Sequence, residues 1–272
     1  MDSAPPVPGT LVWMFILGHN LHYGLFTTGK ETLDEATDAM IDRMASLTRL
    51  EPETEALDVG CGIGNPAFYL HEKTGCRITG ISISSRGIAI AGKKSRDLGV
   101  SDRVAFLQRD ALATGLPDRS FDIAWIMESS HLMRDKPGLV AETDRVLRPG
   151  GCVLLCDLVL KQAFSVADLY RYREDLAMLE QSFGDAKMES LEFYQAAFAA
   201  RGFSRIESHD ISQEAMPTLQ RWKENLARNQ SSLAACFADE AMENFSRSCS
   251  ILTRFFRDNR LGYGIIKAVK PQ

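Results

Sequence analysis

The sequence predicts an α/β protein: a doubly wound, mostly parallel seven-stranded sheet carrying a helical cap. Three observations lead there. Apolar, β-branched runs alternate with helical runs between Leu57 and Leu160, the rhythm of strand–crossover–strand units. The run Cys152–Leu160 is nearly all apolar, as a strand buried on both faces must be. Leu57-Asp58-Val59-Gly60-Cys61-Gly62-Ile63-Gly64 sets three glycines at alternating positions after an apolar run, which reads as a buried strand breaking into a tight turn and then a helix.

The elements follow in order. Met1–Gly9, rich in proline and small residues, reads as a loose arm, and Leu11–Leu17 as a short packed helix. Gly18–Phe26 is not periodic. It reads either as a surface loop with two anchoring aromatics or as a lid, and a glycine-bracketed aromatic loop is what a closing segment needs. As a lid it makes His22 and Tyr23 candidate ligand contacts. Ala36, Met40, Ile41, Met44 and Leu47 recur at helical spacing within Thr32–Leu50. After the glycine turn come a helix over Ala67–Thr74, a strand over Arg77–Ile83, a helix over Gly87–Leu98, and strands over Arg103–Gln108 and Phe121–Met127. A helix over Gly138–Leu147 is stopped by Arg148-Pro149-Gly150-Gly151. Beyond Lys161 the rhythm changes to one helix over Val166–Phe183, another over Leu191–Ala200, a strand over Phe203–Ile211, a long helical stretch over Pro217–Phe256 and a last strand over Leu261–Val269. The expected organisation is an arm, lid and packing helix at 1–50, a ligand-binding core at 51–160, a cap insertion at 161–189, a return to the sheet at 190–211, a second cap segment at 212–259 and a final strand at 260–272.

Composition narrows the function. The chain has 272 residues, 45% of them hydrophobic and 25% charged, the balance of an ordinary globular protein. A net charge of −5 argues against a nucleic-acid partner held through phosphates. Leu11–Leu17 is too short to span a bilayer, and no basic residue precedes it to make a signal peptide. The six cysteines show no Cys-x-x-Cys pair and no zinc spacing. They read as buried thiols in a reducing compartment, so the cytoplasm is the default location and no metal is expected. Oligomeric state is not legible.

In an open α/β sheet the ligand sits beyond the carboxyl ends of the strands, where the strand order reverses. Those ends present Asp58 with Gly60, Cys61, Gly62 and Gly64; Ser82 and Ser84; Asp110 and Ala111; Glu128, Ser129 and His131; and Asp157. The third glycine falls two positions after the second, not three as in the dinucleotide fingerprint. Asp58 precedes the first, where it would repel a phosphate and attract a cation. Singly, each residue has an ordinary structural reading: Asp110 as a turn cap, Asp157 as an ion-pair partner, His131 as a solvated imidazole.

Asp58–Gly64, Arg109-Asp110-Ala111, Ser120-Phe121-Asp122 and Leu147-Arg148-Pro149-Gly150-Gly151 resemble successive motifs of the class I S-adenosylmethionine-dependent methyltransferases. Asn20–Gly24, Gly80–Ser84, Glu128–Met133 and Asp157–Leu160 resemble the natural-product tailoring branch, in particular rebeccamycin-type sugar O-methyltransferases. The resemblance covers Asn20–Leu160 well and the remainder loosely. It implies a Rossmann-like fold, S-adenosyl-L-methionine as donor and S-adenosyl-L-homocysteine as product. It places the methionine part near Gly60–Gly64 and the adenine near Asp110 and Ala111. Two departures stand out. Ser82 occupies the place of the acid with which many class I enzymes grip the ribose, and Leu132 replaces the second of two histidines found in the sugar enzymes.

The expected reaction is methyl transfer to a hydroxyl of a small natural product of glycoside, polyketide or macrolide type. His131 is the general base and Asp157 orients it. The alternatives are C- or N-methylation of an indole, alkaloid or polyketide, and a cyclase that binds the cofactor without transferring methyl. Leu169, Tyr170, Tyr172, Met178, Phe183, Trp222 and Phe237 make the cap partly aromatic, which reads either as core or as a pocket for a hydrophobic acceptor.

Overall fold

The computed structural model describes residues 10–234 and 237–272. The expected N-terminal arm, Met1–Gly9, and Cys236 lie outside them. Strands are β1 (Glu55–Val59), β2 (Arg77–Ser82), β3 (Val104–Gln108), β4 (Phe121–Met127), β5 (Leu147–Leu160), β6 (Ser204–Asp210) and β7 (Leu261–Val269). Helices are α1 (Thr10–Leu17), α2 (Leu33–Ala45), α3 (Asn65–Thr74), α4 (Ser85–Asp97), α5 (Lys136–Val146), α6 (Val166–Arg171), α7 (Arg173–Phe183), α8 (Leu191–Ala200), α9 (Ser212–Ala215), α10 (Pro217–Arg228), α11 (Gln230–Leu233) and α12 (Asp239–Arg257). The chain divides into two compact units.

The first unit comprises Ile41–Leu160, Ala186–Ile211 and Gly262–Gln272 and holds the sheet, in the order β3-β2-β1-β4-β5-β7-β6. β1 pairs in parallel with β2 and β4, β2 with β3, and β4 with β5, while β6 and β7 are antiparallel. The predicted doubly wound, mostly parallel sheet of seven strands is therefore present. Leu57, Val59, Ile126, Val153 and Leu155 from the central strands form one core with Leu139 and Val140 of α5 and Tyr194 and Phe198 of α8. Burial of each aliphatic side chain stabilises the fold by about 1.5–3 kcal/mol, which locks the strands in register and holds their ends in place.

β5 begins earlier than the sequence suggests. Leu147 pairs with Phe121 and Cys152 with Ile123, so Arg148–Gly151 is an irregularity in the strand, not a separate stop. Arg148 Nη1 donates to both carboxylate oxygens of Asp122 at 2.7 Å, which holds that irregularity against β4.

The second unit comprises the described residues up to Met40, with Lys161–Asp185 and Ser212–Leu261, and is helical. Gly18–Phe26 is no surface loop here. His22, Tyr23, Gly24, Leu25 and Phe26 are buried, and the Tyr23 ring meets Trp222 edge-on at 4.9 Å. The backbone N–H groups of Leu25, Phe26 and Gly24 donate to Ala36 O at 2.7 Å, Glu214 O at 2.9 Å and Thr218 Oγ1 at 3.0 Å. The single helix expected over Val166–Phe183 is two, broken at Tyr172, whose ring packs edge-on to Phe255 at 5.2 Å. The stretch expected over Pro217–Phe256 is likewise interrupted. At Asn229 the side-chain amide donates to Phe15 O at 3.0 Å and Asn225 O at 2.9 Å. A side chain that bonds nearby carbonyls competes with continuation of the helix. Tyr172 and Trp222 are core residues of this unit, whereas Leu169 and Tyr170 are 49% and 73% exposed. Among the described residues, no helix is long and apolar enough to cross a membrane.

Two turn glycines position the site and make a stability test. Gly60 has φ +81° and Gly62 φ +56°, a region that costs an L side chain about 1 kcal/mol or more. A Cβ on Gly60 would stand 2.2 Å from Ser129 Cβ, whereas one on Gly62 would meet nothing within 4 Å. Gly60→Ala therefore carries the backbone cost plus an overpacking cost of about 1–3 kcal/mol, and Gly62→Ala the backbone cost alone. Chemical denaturation of the two variants should show a clearly lower midpoint for Gly60→Ala.

Candidate active site on the rim of the sheet

The order of strands reverses between β1 and β4, and the two loops leaving these strands are clamped together. Ser129 Oγ donates to Val59 O at 2.6 Å. The N–H groups of Gly60 and Cys61 both donate to Ile81 O, at 2.8 and 3.0 Å. Cys61 is thus a backbone anchor with its thiol buried. Gly64 closes the turn by donating to Cys61 O at 2.8 Å and starts α3, which carries Pro66 in its first turn.

Asp58 sits at this reversal, 5% exposed, and among the described residues its Oδ2 is buried without a hydrogen-bond partner. Burial alone pushes its carboxyl up to about 7. A buried carboxylate with an unfilled oxygen beside an open glycine backbone suits a ligand that brings a cationic donor. It does not suit a phosphate.

The neighbouring strand ends are more mixed. Ser82 Oγ accepts the Ser84 N–H at 3.2 Å and keeps its own proton to donate. Ser84 is the N-cap of α4, accepting the Gly87 N–H at 3.1 Å, a structural task. Asp110 Oδ1 accepts the Leu112 N–H at 2.9 Å, so it does cap a turn, and Ala111 follows it half-buried. Glu128 holds the left-handed conformation, φ +46°. Its N–H donates to Cys156 O at 2.8 Å and its Oε1 accepts the hydroxyl of Tyr263 on β7. An acidic side chain forced to positive φ is a costly backbone choice, of a kind that gathers at functional sites.

His131 lies in a turn of 3-10 helix, Ser130–Leu132, just after β4. Asp157 lies on β5, one residue beyond the Met127–Cys156 pair. Their side chains meet, with Nδ1 to Oδ1 at 2.7 Å, and are 15% and 1% exposed. Burial would lower the His131 pKa, but the charge and hydrogen bond of Asp157 hold it above the ordinary histidine value. Burial would raise Asp157, yet His131 and Ser130 hold it below the ordinary carboxylate value. Since Oδ1 accepts from Nδ1–H, the neutral imidazole offers Nε2 as a proton acceptor.

The sequence-named residues thus fall in two sets. Asp58, Gly60, Cys61, Gly62, Gly64, Ser82, Asp110, Ala111, Glu128, His131 and Asp157 gather along one rim of the sheet unit, while His22 and Tyr23 belong to the helical unit. In the latter, His22 Nδ1 bonds Tyr23 O at 2.8 Å, and burial pushes its pKa down to about 4. The residues behind the His131–Asp157 pair were not legible: Ser130, Tyr194 and Lys136. Lys136 is 2% exposed and its ammonium donates to Ser130 O at 2.8 Å and to Met133 O, pinning the turn. A tyrosine in a helix and a lysine near a proline carry no sequence signal of this.

Comparison with known proteins agrees with the geometry. A family model described as a methyltransferase domain matches residues 57–155. The 27-O-demethylrifamycin SV methyltransferase of Amycolatopsis mediterranei (strain S699) is 33% identical over 256 residues, covering 93% of this chain and 91% of its own. The [4+2]-cyclase SpnF superposes with a TM-score of 0.77 at 27% identity, covering 98% of this chain and 97% of its own. The cyclopropane synthase MmaA2 from Mycobacterium tuberculosis shares the fold, with a TM-score of 0.85 at 19% identity over 99% of this chain and 100% of its own. With a buried, unfilled carboxylate at the strand reversal and a relative aligned along nearly its whole length, the chain belongs to the class I S-adenosylmethionine-dependent methyltransferases of natural-product type.

Proposed function

We propose that the protein methylates a hydroxyl of a small natural product, with His131 as the general base. The observation that carries this reading is the His131–Asp157 pair at 2.7 Å on the cofactor rim, which leaves Nε2 for an acceptor hydroxyl. S-Adenosyl-L-methionine, when bound, supplies an electrophilic methyl group on a sulfonium and leaves as S-adenosyl-L-homocysteine. Asp58 would hold its ammonium, Gly60–Gly64 its methionine chain, Ser82 a ribose hydroxyl, and Asp110 and Ala111 the adenine, with Glu128 beside them. His131 takes the proton of the acceptor hydroxyl on Nε2. Asp157, already ionised, steadies the imidazolium through Nδ1 without taking the proton. Such a base is worth about 10²–10⁴-fold in rate. By the family resemblance, His22 and Tyr23 are read as part of a lid segment and the helical segments 161–189 and 212–259 as a cap.

The acceptor class is supported by the natural-product relative, the compartment (cytoplasm) by the cysteine pattern, and the absence of a nucleic-acid partner by the net charge of −5. The resemblance to a cyclase favours a second reading, in which the cofactor is bound and not consumed.

The test is incubation with methyl-labelled S-adenosylmethionine and pooled glycosides, phenolic polyketides, macrolides, indoles and amines, read by mass spectrometry and NMR. Label on oxygen is expected. Label on carbon or nitrogen sinks the hydroxyl reading, and an acceptor rearranged with the cofactor intact moves the cyclase reading to first place. With the acceptor in hand, His131→Ala should lower kcat by about 10²–10⁴-fold. Because Asp157 raises the His131 pKa, the acid limb of the kcat/KM profile should lie at higher pH than an ordinary histidine's. Asp58 must be ionised to hold a cation, and burial places its pKa at about 7. Affinity for S-adenosylhomocysteine, measured calorimetrically, should therefore strengthen as pH rises through about 7, and this dependence should vanish in Asp58→Asn.

A further inference from the structure

A carboxylate can only accept hydrogen bonds, and Asp157 accepts four. Oδ1 takes His131 Nδ1–H at 2.7 Å and Leu158 N–H at 2.8 Å. Oδ2 takes His131 N–H at 3.0 Å and Ser130 Oγ–H at 2.5 Å. Ser130 has one proton and spends it on Asp157, so its oxygen must accept from the Tyr194 hydroxyl, 2.8 Å away. The polarity of the chain is thereby set from Tyr194 to Ser130 to Asp157. Asp157, Ser130 and Tyr194 are all 1% exposed or less, so no water competes for these bonds. The carboxylate has no free lone-pair direction in which to turn.

We propose that Ser130 and Tyr194 are positioning residues for the methyl-transfer base: by filling Oδ2 of Asp157 they hold its carboxylate so that His131 keeps its proton on Nδ1 and offers Nε2. The consequence for catalysis rests on His131 being the base, while the positioning itself does not. Without Ser130, Oδ2 keeps one donor and the carboxylate can rotate away from Nδ1. Other groups act on the imidazole from each neighbouring element. Glu128, after β4, raises its pKa and Lys136, on α5, lowers it. The N–H of Lys187, from the segment before α8, donates to the His131 carbonyl at 2.6 Å. Glu189, in the same segment, bears on Tyr194 and Lys136. None of these touches Nδ1, so among the described residues the Asp157 contact alone selects the tautomer.

The test uses the free, full-length protein with ¹⁵N-labelled histidine, the His131 signals being assigned by their loss in His131→Gln. Wild type should show a single neutral tautomer, Nδ1 protonated and Nε2 bare. Ser130→Ala should show averaged tautomers and a titration moved to lower pH, because the Asp157 hydrogen bond that offsets burial is weakened. Ser130→Thr should restore both, and Tyr194→Phe should shift them the same way by less. Unchanged binding of S-adenosylhomocysteine verifies that each variant is folded. A Ser130→Ala protein that keeps the single Nδ1–H tautomer and the wild-type titration overturns the proposal. Full turnover by His131→Ala would instead remove the base reading and leave these spectra as they are, so the two failures are distinguishable.

Discussion

Because β1 pairs in parallel with β2 on one side and β4 on the other, the loops leaving β1 and β4 are pressed together where the crossovers diverge. The chemistry of the sheet unit depends on that constraint. It leaves Gly60 no room for a side chain beside Ser129. It also buries Asp58 in register with Trp125 at the edge of the crevice. The pairing of β4 with β5 then carries Asp157 to the turn that bears His131. The site groups come from distant parts of the chain, and backbone hydrogen bonds bring them to one rim.

Two buried carboxylates on this rim illustrate how environment divides roles. Asp58 has an oxygen without a partner among the described residues and is pushed toward neutrality by burial, so a cationic donor would stabilise its charged form. Asp157 is as deeply buried, but its two oxygens are filled by donors of the protein itself and it stays ionised. The first is left open to a cationic donor and the second is a filled counter-charge to His131, although both are aspartates on parallel strands of one sheet. The difference is the number of donors within reach.

The likeness to both a 27-O-demethylrifamycin SV methyltransferase and a [4+2]-cyclase sets one fold beside two different reactions. Fold alone does not choose among such reactions. Under the proposed reading the His131–Asp157 pair bears on that choice, since it leaves Nε2 as a proton acceptor.

The sheet was legible because local chemistry dictates it. Period-two and all-apolar runs can bury their surface only as strands between helices, and three alternating glycines after Asp58 admit little but a tight turn. For the same reason the rim residues Asp58, Ser82, Asp110, His131 and Asp157 could be named in advance, since parallel strands must end on one side. What lies behind them could not. Ser130, Tyr194, Lys136 and Tyr263 are ordinary core or helix residues in sequence, and only the packing of α8, α5 and β7 brings the Tyr194 hydroxyl to Ser130 Oγ, the Lys136 ammonium to the Ser130 carbonyl and the Tyr263 hydroxyl to Glu128. The breaks at Tyr172 and Asn229 were hidden likewise, because helical spacing continues through both while ring packing and amide–carbonyl bonds decide against it. Sequence periodicity determined the type and order of the sheet elements and the side on which the parallel strands end. Long-range hydrogen bonds among buried polar groups, which leave no periodic trace, decided how those ends are charged and held.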